Sequence, residues 1–149
     1  MRVRSLFLTA ISGLLLAMPI ASWSQHHHDH DHEHMQEAQD NIQLVVNLTK
    51  DKAPSAVMAM RFASISLGRG NPTVIWLNSE GVRLADAKAK PTEAKKMLEE
   101  FIAKGGKVYV CPHCAKMFGV KELIKGAEFG NPDIIFGLLS EDRVRIISW

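Results

Sequence analysis

Residues 107–114, KVYVCPHC, join a predicted strand to the sharpest chemical motif of this chain. The apolar KVYV predicts a short strand that runs directly into Cys111. Pro112 fits the first turn of a helix, where its missing N–H costs nothing, so a short helix is predicted from Pro112 to about Ala115. This order places Cys111 at the carboxyl end of a strand, where ligands and catalytic groups gather in open α/β sheets.

Alternating strands and helices extend from this segment in both directions. Upstream, the apolar runs 42–48 (IQLVVNL) and 73–77 (TVIWL) predict buried strands. Downstream, 127–129 and 144–148 predict a brief fourth strand and a final one. Strands separated by helices imply right-handed crossovers and a mostly parallel sheet. The predicted fold class is α/β, a three-layer α/β/α sandwich with a mostly parallel sheet of about five strands.

Three longer helices are predicted between these strands, from Pro54 to about Leu67, from Pro91 to Lys104, and from Asp133 to about Ser140. The apolar side chains of the first, at i, i+4 and i+7, are Met58, Phe62 and Ile65. The apolar stripe of the second consists of Ala94, Met97, Leu98, Phe101 and Ile102. Both patterns are typical of amphipathic helices.

Several polar and aromatic residues near the strands have structural rather than chemical interpretations. Asn78, Glu80 and Asp86 follow the second strand, and a solvated loop is preferred to a pocket lining. Trp76 and Trp149 lie in or beside strands, so they are expected to pack in the protein or at a subunit interface.

The CPHC motif favours redox or sulfur chemistry. At the N-cap of a helix, Cys111 faces unpaired backbone N–H groups, which favour the thiolate that a nucleophile needs. His113 lies between the cysteines and adds positive charge when it is protonated. A C-x-x-C spacing also lets Cys111 and Cys114 form a disulfide. The predicted catalytic residues are therefore Cys111, Cys114 and His113.

Two other interpretations of the motif stay open. A structural disulfide would close a loop of two residues and contribute little chain entropy. Half a zinc site would need further ligands from another chain or from the N-terminal region. A thioredoxin fold is excluded, because its motif follows the first strand with most of the sheet still to come, whereas here only residues 115–149 follow.

Composition indicates one ordinary globular domain: 149 residues, 46% hydrophobic and 23% charged. The formal charge is +2. Without Arg2 and Arg4, the remaining basic side chains only equal the 16 acidic ones. The charge balance therefore gives no reason to expect nucleic acid as a partner.

The first 24 residues have the pattern of a signal peptide. Arg2 and Arg4 precede an apolar run over 6–20, and residues 22–24 (SWS) place small side chains at a cleavage site. The run is shorter than the roughly 20 residues that span a bilayer, so cleavage is preferred to anchoring. We expect a Sec-type signal cleaved near Ser24, location in the periplasm or outside the cell, and no membrane contact after cleavage.

A histidine-rich segment follows the expected cleavage point. Residues 25–34 read QHHHDHDHEH, and 35–40 are linker-like, so the folded domain is expected over 41–149. Imidazole and carboxylate together suit copper, zinc or nickel. The candidate metal ligands are His26, His27, His28, His30, His32 and His34. A solvated spacer that chelates metal incidentally is the alternative, and no cofactor is required by the rest of the chain.

The chain from Lys107 to Trp149 resembles the DsrE/DsrF-like family of sulfur-relay proteins. The resemblance rests on the strand ending in Cys111 and on four further groups: 118–120 (FGV), 123–127 (LIKGA), 130–132 (GNP) and 148–149 (SW). It implies a single α/β/α domain and assembly into trimers or hexamers. It also implies that Cys111 carries a persulfide between donor and acceptor proteins. Export and the second cysteine, Cys114, depart from the family pattern.

Two functions follow as hypotheses. The first is an exported DsrE-like thiol protein, a sulfurtransferase or thiol–disulfide relay, that exchanges sulfane sulfur or disulfides with a protein partner through Cys111 and resolves the product with Cys114. The alternative is a periplasmic copper, zinc or nickel binding protein or chaperone that uses the histidine-rich segment. The first hypothesis describes a relay protein without classical enzymatic turnover.

Overall fold

Residues 42–149 are the part of the chain that the computed structural model describes. In chain order they form β1 (Gln43–Leu48), α1 (Ser55–Gly68), β2 (Thr73–Leu77), a 3-10 helix (Ser79–Ala85), α2 (Glu93–Ala103), β3 (Lys107–Val110), α3 (Pro112–Met117), β4 (Ala127–Phe129), α4 (Pro132–Leu139) and β5 (Val144–Ser148). Within this range, no helix has the length and apolar character needed to cross a membrane.

The five strands form one sheet in the order β4-β3-β2-β1-β5, and every neighbouring pair is parallel. The predicted α/β fold with a five-stranded sheet is confirmed. From β1 to β4 the chain steps toward one edge of the sheet, and after β4 it crosses to the opposite edge, where β5 lies. Because such crossovers are right-handed, helices on steps of opposite direction lie on opposite faces of the sheet. Helices α1 and α2 cover one face, and α4 lies on the other.

The core lies between the sheet and helices α1 and α2. Alternate strand residues face it, and Val46, Leu48, Ile75 and Leu77 are completely buried there. From α2, Leu98 and Phe101 reach the same cluster and are also completely buried. Their stripe is the one that the sequence predicts.

Helix α1 faces the core with a different stripe from the predicted one. Met58, Phe62 and Ile65 are 53%, 43% and 57% exposed, so the expectation from their spacing is wrong. The buried side chains of α1 that recur at i, i+3, i+4 and i+7 are Ala56, Ala59, Met60 and Ala63. Small alanines let the helix axis approach the sheet closely, which leaves the larger stripe outside. The ring of Phe62 lies 5.5 Å from that of Trp149.

Helix α2 is fixed at both ends. The Thr92 side chain accepts a hydrogen bond from the backbone N–H of Lys95, and Gly105 ends the helix with φ +90°. The Lys95 ammonium is buried and donates to the carbonyl oxygens of Asp86 and Ala89 at 2.6 and 2.8 Å. These bonds hold the preceding connection against the first turn of the helix.

The connection after β2 is not the expected solvated loop. It folds as a 3-10 helix whose Val82, Leu84 and Ala85 are buried in the core cluster. A Cβ at Gly81 would collide with the carbonyl oxygen of Leu48, so only glycine allows this close approach. Because apolar residues alternate with the polar ones here, the segment can bury one side and solvate the other.

Candidate functional site

The strand, cysteine and helix of the CPHC motif are joined as the sequence predicts. Cys111 follows β3 directly and is the N-cap of α3, with Pro112 in the first turn. Its backbone N–H donates to the carbonyl oxygen of Leu77 at 2.9 Å, which ties it to the carboxyl end of β2. The backbone of Cys111 is therefore held by the sheet, whereas Cys114 belongs to the helix.

The two cysteines lie together as free thiols. Both are half-buried, and the Cys111 sulfur accepts a hydrogen bond from the backbone N–H of Cys114 at 3.4 Å. Burial raises the pKa of the Cys114 thiol, and its hydrogen bond with the Cys111 side chain raises that pKa further. The Cys114 thiol therefore keeps its proton at neutral pH.

Ser79 is a part of this site that sequence reasoning missed. A backbone interaction of Ser79 with the Cys114 side chain by itself lowers the pKa of that thiol, but burial and Cys111 outweigh it. Ser79 has φ +47°, in the left-handed region that few residues other than glycine adopt. The sequence signal available was its position at the carboxyl end of β2, next to the strand that delivers Cys111.

His113 does not join the two cysteines as a metal ligand. Its side chain is exposed on α3, between half-buried Cys111 and Cys114. Within residues 42–149, no three His, Cys, Asp or Glu side chains lie close enough together to hold a metal ion. The predicted ligands of the histidine-rich segment, His26 to His34, lie outside the described residues.

An arginine of the 3-10 helix contacts the end of α3. The guanidinium of Arg83 lies 4.4 Å from the centre of the Phe118 ring and 3.3 Å from the carboxylate of Asp51. It thereby joins three segments: the 3-10 helix, the end of α3 and the loop after β1.

A chain of polar side chains continues along the carboxyl edge of the sheet. Asn78 donates to Asn47 at 2.5 Å, and Asn47 donates to Ser148 at 3.0 Å. Asn78 and Asn47 also line a cavity of about 220 Å³ beneath α4, together with Trp76. Asn78 is thus a lining residue, while Glu80 pairs with Lys50 at 3.7 Å on the surface.

The fold agrees with a comparison of the sequence with known families. Residues 40–146 match the DsrE/DsrF-like family. The chain belongs to this family. Its structure is similar to the crystal structure of the YchN protein from E. coli, with a TM-score of 0.61 and 23% sequence identity over 72% of this chain and 99% of that one. At this identity the likeness establishes the DsrE-like fold alone. No curated relative matches the chain.

Proposed function

We propose that this DsrE-like chain is an exported thiol protein of the sulfur-relay type, in which Cys111 is the nucleophile and Cys114 resolves the product. The observation that carries the proposal is the pairing of two free thiols within hydrogen-bond reach at the carboxyl end of β3. Membership of a family associated with sulfur relay supports the same chemistry. A protein partner supplies or accepts the sulfur.

Sulfur transfer would proceed in two balanced steps. The Cys111 thiolate attacks the outer sulfur of a donor persulfide, the donor S–S bond breaks, and the donor leaves as a thiolate while Cys111 becomes a persulfide. An acceptor thiolate then takes that outer sulfur and regenerates the Cys111 thiolate. If Cys114 attacks the inner sulfur instead, a Cys111–Cys114 disulfide forms and hydrosulfide leaves.

The raised pKa of Cys114 gives this resolving step a pH dependence. A folded thiol with a raised pKa keeps its proton to higher pH than the same thiol in the unfolded chain. The contribution of Cys114 to folding stability is fully present below the pKa that this thiol has in the unfolded chain. It is lost as the pH rises through the higher pKa that the thiol has in the folded protein. We expect alkylation of Cys114 by iodoacetamide to begin at higher pH in the native protein than in urea, as measured by peptide mass mapping.

The proposal is tested by loading mature protein, residues 25–149, with inorganic polysulfide and measuring its intact mass. Wild type is expected to gain one sulfur atom transiently and then form the Cys111–Cys114 disulfide. Cys114→Ser should retain the added sulfur, because nothing resolves it, and Cys111→Ser should gain none. Equal loading of Cys111→Ser and wild type would contradict the role of Cys111.

Export is a separate part of the proposal. The apolar run 6–20 between Arg4 and the small residues Ser22 and Ser24 supports removal of residues 1–24 by a signal peptidase. The expected product in a bacterial periplasmic fraction begins at Gln25, as N-terminal sequencing would determine. Retention of residues 1–24 on a membrane-bound chain would contradict cleavage.

A second candidate function is transition-metal binding by the histidine-rich segment. Six histidines within residues 26–34, interleaved with three carboxylates, support copper, zinc or nickel binding. Removal of residues 26–34 is expected to abolish tight Cu²⁺ and Zn²⁺ binding in calorimetry while leaving polysulfide loading intact. Unchanged binding by the shortened chain would contradict this function.

Self-assembly completes the proposal. The outer stripe of α1, Met58, Phe62 and Ile65, is exposed, and so is Phe136 of α4 at 67%. Apolar side chains of this size on a helix surface favour contact with another copy of the chain. Light scattering is expected to give the mass of a trimer or hexamer, and a monomer at micromolar concentration would contradict assembly.

A further inference from the structure

A groove runs along α3 on the side toward β4. It has a volume of about 270 Å³, and Pro112, Ala115, Val120 and Phe129 give it apolar walls. Phe129 is 45% exposed although it lies at the end of a strand. A side chain of leucine or valine size fits an apolar recess of this kind.

The rim of the groove is positively charged. Lys116 and Lys121 both line it, and no carboxylate does. Within residues 42–149, neither ammonium group has a carboxylate within ion-pair distance, although four other basic side chains do. Two unpaired ammonium groups beside an apolar recess favour an occupant that carries acidic and apolar side chains together.

The groove and the cysteines lie on different sides of the same short helix. Pro112, Ala115 and Lys116 occupy one helix face at i, i+3 and i+4, whereas Cys114 faces Ser79 in the 3-10 helix. A helix with its side chains is about 10 Å wide. An extended chain covers that distance in about three residues. A segment that reacts at Cys111 can therefore place a side chain three positions away in the groove.

The strand beside the groove is an edge of the sheet. Strand β4 pairs with β3 on one side, and no other described strand pairs with its outer side. Edge strands accept extended peptides through backbone hydrogen bonds, with alternate side chains entering neighbouring pockets. An extended segment is thus the conformation that this part of the surface suits.

We propose that the groove binds an extended, acidic segment of the protein that exchanges sulfur or disulfides with Cys111. An apolar side chain about three residues from the partner cysteine occupies the recess, and flanking carboxylates meet Lys116 and Lys121. This inference rests on the proposed function and specifies the chemistry of the partner.

Activated peptides test the inference with a balanced reaction. In the probe, a peptide cysteine is linked to 2-thiopyridine by a disulfide. The Cys111 thiolate attacks the peptide sulfur, the probe S–S bond breaks, and pyridine-2-thiolate leaves, takes up a proton and is measured by absorbance. Cys114 then loses its proton, attacks the Cys111 sulfur and releases the peptide thiol. The protein is oxidised by two electrons and the probe is reduced by two.

The acidic probe peptide contains the cysteine, two glycines, a leucine, an aspartate and a glutamate. The basic probe peptide has two lysines in place of the aspartate and the glutamate. Each is made with leucine three residues after or before cysteine. With the leucine either after or before the cysteine, the acidic probe is expected to react about tenfold faster than the basic probe in at least one of the two arrangements, because opposite charges steer association. The charge reversal K116E/K121E should invert that preference.

Two controls separate the groove from general effects. The variant K96E/K104E makes the same charge change on two exposed lysines, one in α2 and one at its C-terminal cap, that do not line the groove, and it should keep the preference for the acidic probe. Phe129→Ala should reduce the advantage of the leucine probe over one with glycine at that position. For each groove and control variant, the probe rates are divided by the rate with 2,2′-dithiodipyridine, which is uncharged, so that a general change in thiol reactivity cancels.

The possible outcomes distinguish the inference from the function it rests on. If dithiodipyridine oxidises Cys111 and Cys114 but the acidic and basic probes react equally, the proposal that the groove binds an acidic segment is overturned. The proposed thiol function then still stands. An equal loss of preference in K96E/K104E and K116E/K121E would overturn the groove as well. If Cys111→Ser reacts with every probe as wild type does, the proposed function itself fails.

Discussion

Helices α1 and α2 bury side chains completely against one face of the sheet, whereas α4, on the other face, has no buried residue among its eight. Phe101 of α2 and Phe136 of α4 mark the difference, since the first is fully buried and the second is 67% exposed. The free energy of folding therefore resides mainly on the first face. The second face keeps apolar surface that an isolated chain leaves in water.

The largest expected effect on stability comes from comparing the removal of one phenylalanine ring from each face of the sheet. Phe101→Ala should lower the free energy of unfolding by about 3–5 kcal/mol, because it leaves a cavity in a packed core. Phe136→Ala should change it by less than about 0.5 kcal/mol, because its ring is in solvent. Urea unfolding followed by circular dichroism measures both, and equal losses would break the distinction between the faces.

Two glycines give the next contrast. Gly81→Ala should destabilise the protein by about 1–3 kcal/mol, because the added methyl meets the Leu48 carbonyl and the 3-10 helix must shift. Gly137→Ala in α4 meets nothing within 4 Å and should stabilise by about 0.5–1 kcal/mol through helix propensity. Thermal unfolding compares them, and a destabilising Gly137→Ala would mean that α4 is packed more closely than described.

The two helix caps provide a finer comparison. Thr92→Ala removes the bond to Lys95 N and should cost about 1 kcal/mol in global unfolding. Asn131→Ala removes the bond to Ile134 N, 2.8 Å long, at the start of α4. Opening of α4 exposes no buried core. We therefore expect Asn131→Ala to lower the free energy of local opening of α4 more than the free energy of global unfolding. Hydrogen exchange should then be faster in α4 alone, and faster exchange throughout the sheet would contradict this.

The smallest expected effect on stability tests the outer stripe of α1. The double variant Met58→Ser and Ile65→Ser should change the free energy of unfolding of the isolated chain by less than about 0.5 kcal/mol, since both side chains are already exposed. Its effect should instead be on assembly, measured by light scattering at equal concentrations. Unchanged assembly would exclude this stripe as the contact between copies.

The order of elements could be predicted from the sequence because each strand is a short apolar run and each helix has a clear start or stop. Strand 73–77 and strand 144–148 have the predicted bounds, and α2 begins two residues after its predicted start at Pro91. The placement of Cys111 followed from the same logic, since β3 leads directly into it. Local patterns therefore suffice for the framework of this fold.

Three features depend on packing that no local pattern specifies. Helix α1 carries two apolar stripes, and the choice of the alanine stripe depends on how closely the helix approaches the sheet. The 3-10 helix is buried only because Gly81 lets it reach β1. Ser79 enters the site through its backbone, so the identity of its side chain carries no sign of the contact.

The buried Lys95 has a consequence for chemical footprinting. Its ammonium is enclosed by the carbonyls of Asp86 and Ala89, whereas its neighbour in sequence, Lys96, is exposed. An acetylating reagent should modify Lys96 immediately and Lys95 only when the start of α2 detaches from the connection that it holds. Lys96 thus serves as an internal reference for Lys95. The ratio of acetylation at Lys95 to acetylation at Lys96 measures how often the start of α2 opens.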